Sequence, residues 1–478
     1  MPFKLYCLLC MSFSMFFQAN AMEDSETQEL LQSIDARAVQ SADLARRLWD
    51  YAEVGYQETR STQLLQDTLS AEGFSIQAGV AEIPTAFIAS FGNGKPVIAI
   101  LAEYDALPGI TQDALPGRNL LESKTAGHAC GHNLFAAGSV GAAIAVKNWL
   151  KNGQRSGTVR LYGTPAEEGG SGKVYMVRAG LFKDVDIALH WHAGDQNSAS
   201  ATTSLANRSA KFRFYGVSAH ASAAPEKARS ALDGVESFNY MANMMREHFP
   251  QETRMHYVIT AGGNAPNVVP DFAEVFYYLR HTTAAQVQKM WLRLEAAAQG
   301  AAMGTGTRVE IEIIHGNHPL IINEALAKMM HEKLSQVGGM TYTQDEAKFA
   351  STLYMTLNAP RMTLGSESDI QPYRTGPGFG STDVGDVSIA VPTVGLRTAT
   401  WVPGTSAHSW QSVAASGMSI GFKGAQIASK TLALAAIELF ENADLRVTAK
   451  KEFDERRGVN FVYEALLGDR DPPLNYRN

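Results

Sequence analysis

Pro96-Val97-Ile98-Ala99-Ile100-Leu101-Ala102 is a continuous apolar run. A short run without alternation predicts a strand buried on both faces, as in a parallel sheet covered by helices. It stops at Glu103-Tyr104-Asp105-Ala106-Leu107-Pro108-Gly109. Two further strands follow the same plan. Residues 158–162 run into Gly163-Thr164-Pro165-Ala166-Glu167-Glu168-Gly169-Gly170, and residues 186–189 run into His190-Trp191-His192. Between the first two lie Gly127-His128-Ala129-Cys130-Gly131-His132-Asn133 and an Ala-rich helical stretch, 134–151. Strands alternating with helices predict an α/β sheet, and such sheets bind ligands beyond the carboxyl ends of their strands. The residues able to carry chemistry fall at those ends.

Outward from this frame, residues 24–66 have helical apolar spacing. Near Ala206 the pattern changes. Lys211-Phe212-Arg213-Phe214-Tyr215 alternates like a strand with one wet face. A helix at 228–247, strands at 255–260 and 272–279, a helix at 284–301 and a strand at 308–314 follow. That order, β-α-β-β-α-β, predicts a ferredoxin-like unit inserted in the first domain. The expected division is a signal segment at 1–21, a catalytic domain in two parts, 22–205 and 319–478, and the inserted lid, 206–318. The second part begins with a helix at 324–337. A glycine-rich loop at 376–380, a strand at 391–396, a helix at 416–442 and a charged, polar tail follow.

A chain of 478 residues with 45% hydrophobic and 19% charged residues has the composition of a globular protein with two or three domains. A net charge of -7 and pI near 6.0 offer no long-range attraction for nucleic acid or anionic membrane. No stretch after the N-terminus is apolar enough to span a bilayer. At the N-terminus, Lys4, the apolar stretch 5–17 and Ala19-Asn20-Ala21 read as a secretory signal cleaved near Ala21. Export to the periplasm is expected. Cys7 and Cys10 leave with that segment, so Cys130 is the one cysteine of the mature chain.

Cys130 and His132, with Gly131 between them, have the donor types and spacing to close on one metal ion, although a lone cysteine in a turn is more often a buried thiol. Glu167 and Glu168 are adjacent at a strand end, so their side chains diverge. One can bind metal while its neighbour moves protons for hydrolysis; the bland alternative is two solvated acids in a loop. His190 and His192, two apart, face the same side of extended backbone, and either can be a ligand. His408 sits in a loop before the last helix, where a histidine is more often a surface residue. His128 reads as a hydrogen-bonding support, and His248, His256, His281, His315, His318 and His331 as structural. Trp191, Trp401, Trp410 and Tyr373 can form an aryl pocket or simply core.

In this order, the stretches 102–108, 127–133 and 163–170 resemble the amidohydrolase branch of the aminoacylase/carboxypeptidase metallopeptidase family, over essentially the whole mature chain. Leu189-His190-Trp191-His192, the run 262–270 and the run 380–388 strengthen the likeness. The resemblance implies an α/β fold with a mixed, mostly parallel sheet and an inserted lid and dimerisation domain. It implies Cys130, His132, Glu168, His190 and His408 as ligands of one or two divalent ions, Zn²⁺ or Mn²⁺, with Cys130 bridging. It prefers His190 to His192 because His190 directly follows the apolar run. It further implies Glu167 as general base and Asp105 as the acid orienting a ligand. Lid residue His220 would reach the partner subunit's active site, and Asn267 would lie near the substrate. The reaction it implies is hydrolysis of an N-acyl or N-aroyl amino acid such as p-aminobenzoyl-glutamate, by a homodimer or a heterodimer with a related subunit. A dipeptidase or N-acyl-amino-acid deacylase is the alternative. A non-catalytic metal-dependent binding protein is disfavoured by Glu167, since pure binding needs no spare base.

Overall fold

The computed structural model describes residues 25–477. The signal segment read at 1–21 lies outside the described residues. The apolar run at 96–102 forms β3 of a series: β1 (Ser75–Ala78), β2 (Phe87–Asn93), β3 (Val97–Ala102), β4 (Gly157–Gly163) and β5 (Ile187–Gly194). Four strands then form a separate sheet: β6 (Ala206–Tyr215), β7 (Arg254–Ala261), β8 (Phe272–His281) and β9 (Arg308–Asn317). β10 (Thr393–Ala399) returns to the first sheet, whose spatial order is β1-β2-β4-β3-β5-β10. β3 pairs parallel with β4 and β5, and β5 parallel with β10, whereas β1 and β2 form an antiparallel edge. All six β3 side chains are buried, the burial on both faces that an unbroken apolar strand requires.

The helix His132–Asn152 begins where the Cys130 loop ends and is buried over most of its length, packed against the helices Ala38–Tyr51 and Ser419–Glu441. Gly131 makes the entry possible. It has φ 75°, and a Cβ there would lie 2.5 Å from the Ala193 side chain.

The second sheet has the order β7-β8-β6-β9 and is antiparallel throughout. Helices Ala231–Met245 and Ala284–Thr305 cover it, and buried Phe212, Phe238, Tyr277 and Trp291 build a core of its own. This is the expected ferredoxin-like lid.

Several elements differ from their sequence reading. Pairing with β10 carries β5 through Gly194, so His190 and His192 lie inside the strand and not beyond it. The helical region at 24–66 is broken by the left-handed Ala52 and resumes as the helix Thr59–Ala71. The segment read as a polar tail contains another helix, Ala443–Arg457, and then an ordered strap. Leu466 and Leu467 are buried in it, Tyr463 Oη donates to Asp386 at 2.8 Å, and Arg178 donates to the Gly468 carbonyl.

Candidate active site

The glutamate pair is set by a loop held from three sides. β4 ends at Gly163, and Ala166 then takes a positive φ of 56°. Buried Glu58 accepts the Ala166 N–H at 2.8 Å, holding that turn. Asp105, just past β3, accepts the Glu168 N–H on Oδ2 at 2.9 Å. Its Oδ1 lies 3.0 Å from His132 Nδ1, so one buried carboxylate positions both a glutamate and a histidine.

Around this frame three overlapping groups bring their donor atoms within 4.8 Å of one another: Cys130, His132 and His192; Cys130, Glu168 and His408; and Glu103, His132 and Glu167. Cys130 Sγ lies 3.4 Å from His192 Nε2, and His408 Nε2 lies 3.2 Å from Glu168 Oε1. His408 comes from a distant loop whose backbone is itself at a positive φ of 60°. Two hydrogen bonds to the Ala129 carbonyl fix that loop, from His408 N at 3.0 Å and from Ser412 Oγ at 2.7 Å.

The donor set fits a divalent cation. His132 Nε2 and Glu103 Oε2 stand 3.0 Å apart in a buried site without an aligned hydrogen bond, and buried Glu168 Oε1 also lacks one. Buried polar atoms left without partners are costly, and a cation would satisfy several at once. Burial, reinforced by Glu168, pushes the Cys130 thiol well up, so a cation is what would let it ionise here. Burial, followed by Arg397 and His132, holds His192 well below its usual range, in the neutral form that ligates. Soft sulfur with imidazole and carboxylate suits Zn²⁺ or a similar transition ion.

Of the residues singled out in the sequence, Cys130, His132, Glu167, Glu168, His408 and Asp105 converge. His190 does not join these groups. It lines the same cleft, but its ring packs on β10, where a Cβ on Gly395 would stand 2.3 Å from it. His192 is the histidine beside Cys130. The resemblance prefers His190 because it directly follows the apolar run; the strand continues to Gly194, and it is the next residue on the same side, His192, that stands opposite Cys130. His220 and Asn267 are exposed on the lid, away from this chain's cleft. The His220 ring accepts amides of Ser222 and Ala223, and Ala221 N donates to the Asn267 carbonyl. His128 is the support expected of it, its Nε2 lying 3.0 Å from the Leu48 carbonyl.

The sequence reading missed a buried charge network under the site. Lys173 Nζ bridges Glu103 Oε1 at 2.7 Å and Asp383 Oδ1 at 2.8 Å, all three fully buried. The spacing of Glu103 and Asp105, which share one side of extended backbone, was the available signal. His315, read as structural, has both ring nitrogens engaged, by Ser171 Oγ and Asn317 Oδ1, and also lines the cleft.

The cleft, about 820 Å³, opens between the central sheet and the lid. Its acids are Glu103, Glu167 and Glu168; its cations are Arg280, Arg374, Arg397 and Arg477.

A Cys/His/Glu cluster at the strand ends of a mixed sheet with a ferredoxin-like insert matches one family model, Peptidase family M20/M25/M40, over residues 99–394. The chain belongs to this family. Like other M20 members it is a hydrolase of the metallopeptidase and amidohydrolase type. It is 38% identical over 457 residues to a subunit of the p-aminobenzoyl-glutamate hydrolase of Escherichia coli K12, covering 88% of this chain and 94% of the relative. It is 28% identical over 436 residues to Xaa-Arg dipeptidase of Mus musculus, covering 88% and 90%. Among solved structures, the aminobenzoyl-glutamate utilization protein of Klebsiella pneumoniae superposes with TM-score 0.59 at 19% identity, covering 85% of this chain and 97% of that one. The YXEP protein of Bacillus subtilis, titled a dinuclear metal binding peptidase from the M20 family, gives TM-score 0.56 at 19% identity, covering 85% and 99%. These M20 structures share its fold.

Proposed function

We propose that this M20 chain hydrolyses the amide of an N-aroyl amino acid, with p-aminobenzoyl-glutamate as the substrate of choice. The observation that carries the reading is Glu167, an acid whose carboxylate lies within 4.8 Å of donor atoms of His132 and Glu103, beside the groups that Cys130 forms with His192, Glu168 and His408. Cys130, His132, Glu168, His192 and His408 would hold one or two divalent ions, Zn²⁺ or Mn²⁺. Such an ion supplies Lewis-acid polarisation of the amide carbonyl and makes water easier to deprotonate.

The protein's own part is proton handling and orientation. Glu167 takes a proton from the attacking water and returns it to the leaving amine nitrogen. Burial, then the charges of Glu103 and Glu168, push its carboxyl well above the ordinary range, the direction that suits a group which must give a proton as well as take one. Asp105 holds the His132 ring so that Nε2 faces the cluster.

The arginines favour an anionic leaving amino acid such as glutamate. A cationic one, as in an Xaa-Arg dipeptide, would meet four guanidiniums, while the cleft's three acids all belong to the candidate ligand groups. We also propose a dimer formed through the lid, with a second copy or a related chain. Edge strand β7 exposes Tyr257, Val258 and Ile259, an apolar edge of the kind proteins cover, and His220 would then serve the partner's cleft. Export before action remains part of this reading, from the N-terminal segment.

The test is a substrate panel with the purified protein loaded with Zn²⁺ or Mn²⁺. Hydrolysis of p-aminobenzoyl-glutamate above neutral acyl amino acids and dipeptides is expected. Preference for an Xaa-Arg dipeptide would overturn the substrate assignment.

A further inference from the structure

The strap that follows the last helix does not stop at the protein's outer surface. Tyr175 Oη donates to the Asp471 carbonyl at 3.3 Å, and Gln57 Nε2 donates to the Leu474 carbonyl at 2.8 Å. The strap then reaches the glutamate loop. Tyr476 Oη donates to the Glu168 carbonyl at 3.0 Å, the Tyr476 ring meets Tyr56 edge-on at 5.6 Å, and the Arg477 guanidinium donates to the same Glu168 carbonyl. Arg477 thereby becomes part of the cleft wall, beside lid residues Tyr278 and Arg280.

Among the described residues, this corner gathers positive charge without a paired acid. Arg477 Nε and Arg280 Nε are both buried without a hydrogen-bond partner. Among the described residues neither guanidinium has an acid within ion-pair distance. Arg280 lies over the Tyr278 ring at 5.4 Å, and Arg477 over the Tyr476 ring at 4.7 Å, so each is held by an aromatic face; Arg477 spends one Nη on the Glu168 carbonyl, and Nε of both guanidiniums is left unpaired. Half-buried guanidiniums without a counter-ion are costly, and a planar fork of donors matches a carboxylate.

We infer that Arg477, delivered by the strap, forms with Arg280 an anion subsite that takes a carboxylate of the leaving amino acid, remote from the scissile amide. The inference rests on the amidohydrolase reading and adds to it a specificity-determining residue outside the region that matches the family model. It also gives the strap a purpose: the same side chain that closes over the Glu168 loop reads the charge of the substrate.

The experiment compares wild type, Arg477→Gln and Arg477→Lys on p-aminobenzoyl-glutamate and on its α- and γ-monoamides. Loss of a charged pairing in a closed site costs on the order of tenfold or more in kcat/KM. For Arg477→Gln that loss is expected on the diacid, shrinking to less than about threefold on the one monoamide that lacks the recognised carboxylate. Arg477→Lys is expected to keep part of the discrimination. An equal loss on all three substrates would overturn the inference and leave Arg477 as a prop for Glu168. Calorimetric binding of L-glutamate gives a readout that does not need turnover. About tenfold weaker binding by Arg477→Gln supports the subsite, and equal binding overturns it even if the hydrolase reading itself fails.

Discussion

Asp105 and His132 are joined through Oδ1 and Nδ1 at 3.0 Å, with both side chains fully buried. The bond leaves Nε2 as the free nitrogen. Burial lowers the His132 ring, but Cys130, Asp105 and Glu103 outweigh it and push the ring well above its usual range. Asp105→Asn should therefore weaken metal binding by about 10- to 100-fold, the usual effect of losing an acid that orients a ligating histidine. Competition with a chromophoric chelator measures it. Unchanged affinity would remove Asp105 from the metal account.

The two histidines of β5 separate cleanly by the same kind of measurement. His192→Ala should purify with less metal than wild type, because it removes the nitrogen 3.4 Å from Cys130 Sγ. His190→Ala should keep its metal, since that ring rests on Gly395. Metal content by elemental analysis is the readout. The reverse pattern would restore His190 as the ligand.

His192, and not His190, meets Cys130 for a reason that no local stretch of sequence carries. The apolar runs at β3, β4 and β5 were legible because strands buried on both faces show no alternation, and the motifs at their ends identified Cys130, His132, Glu167, Glu168 and Asp105. Where β5 ends was not legible. Its last residues are held by pairing with β10, which comes from the far side of the lid in sequence. The same holds for Lys173, whose partners Glu103 and Asp383 arrive from separate segments. It holds also for Arg477, which looks like a surface residue of a polar tail until the strap is seen to be anchored. Long-range pairing leaves no local periodicity to read.

Lys173 bridges two fully buried acids, Glu103 and Asp383. Removing one partner of such a group leaves uncompensated buried charge. Lys173→Met should cost about 3–5 kcal/mol of unfolding free energy, read from urea denaturation with the m-value checked. A loss below about 1 kcal/mol would mean that the acids are neutral without it.

Asp386 supplies a pH signature. Burial pushes its carboxyl up to about 6, against the lowering influence of His318 and of the Tyr463 hydroxyl. A carboxyl raised in the folded state holds its proton there while the unfolded chain has released it. Its contribution is therefore complete below about pH 4 and is lost as pH rises through about 6. The lost contribution is on the order of 3 kcal/mol. Denaturation profiles of wild type and Asp386→Asn should converge in slope above pH 6 and diverge between pH 4 and 6, where only the wild type loses stability from this group. Parallel profiles throughout would contradict it.

The central claim is that Glu167 moves the proton while its neighbours hold the metal. Steady-state hydrolysis of p-aminobenzoyl-glutamate by Glu167→Gln, with metal content determined on the same sample, tests it most directly. The account predicts a fall in kcat of about 10²–10⁴-fold at unchanged metal content. Near-normal turnover with metal in place would contradict it.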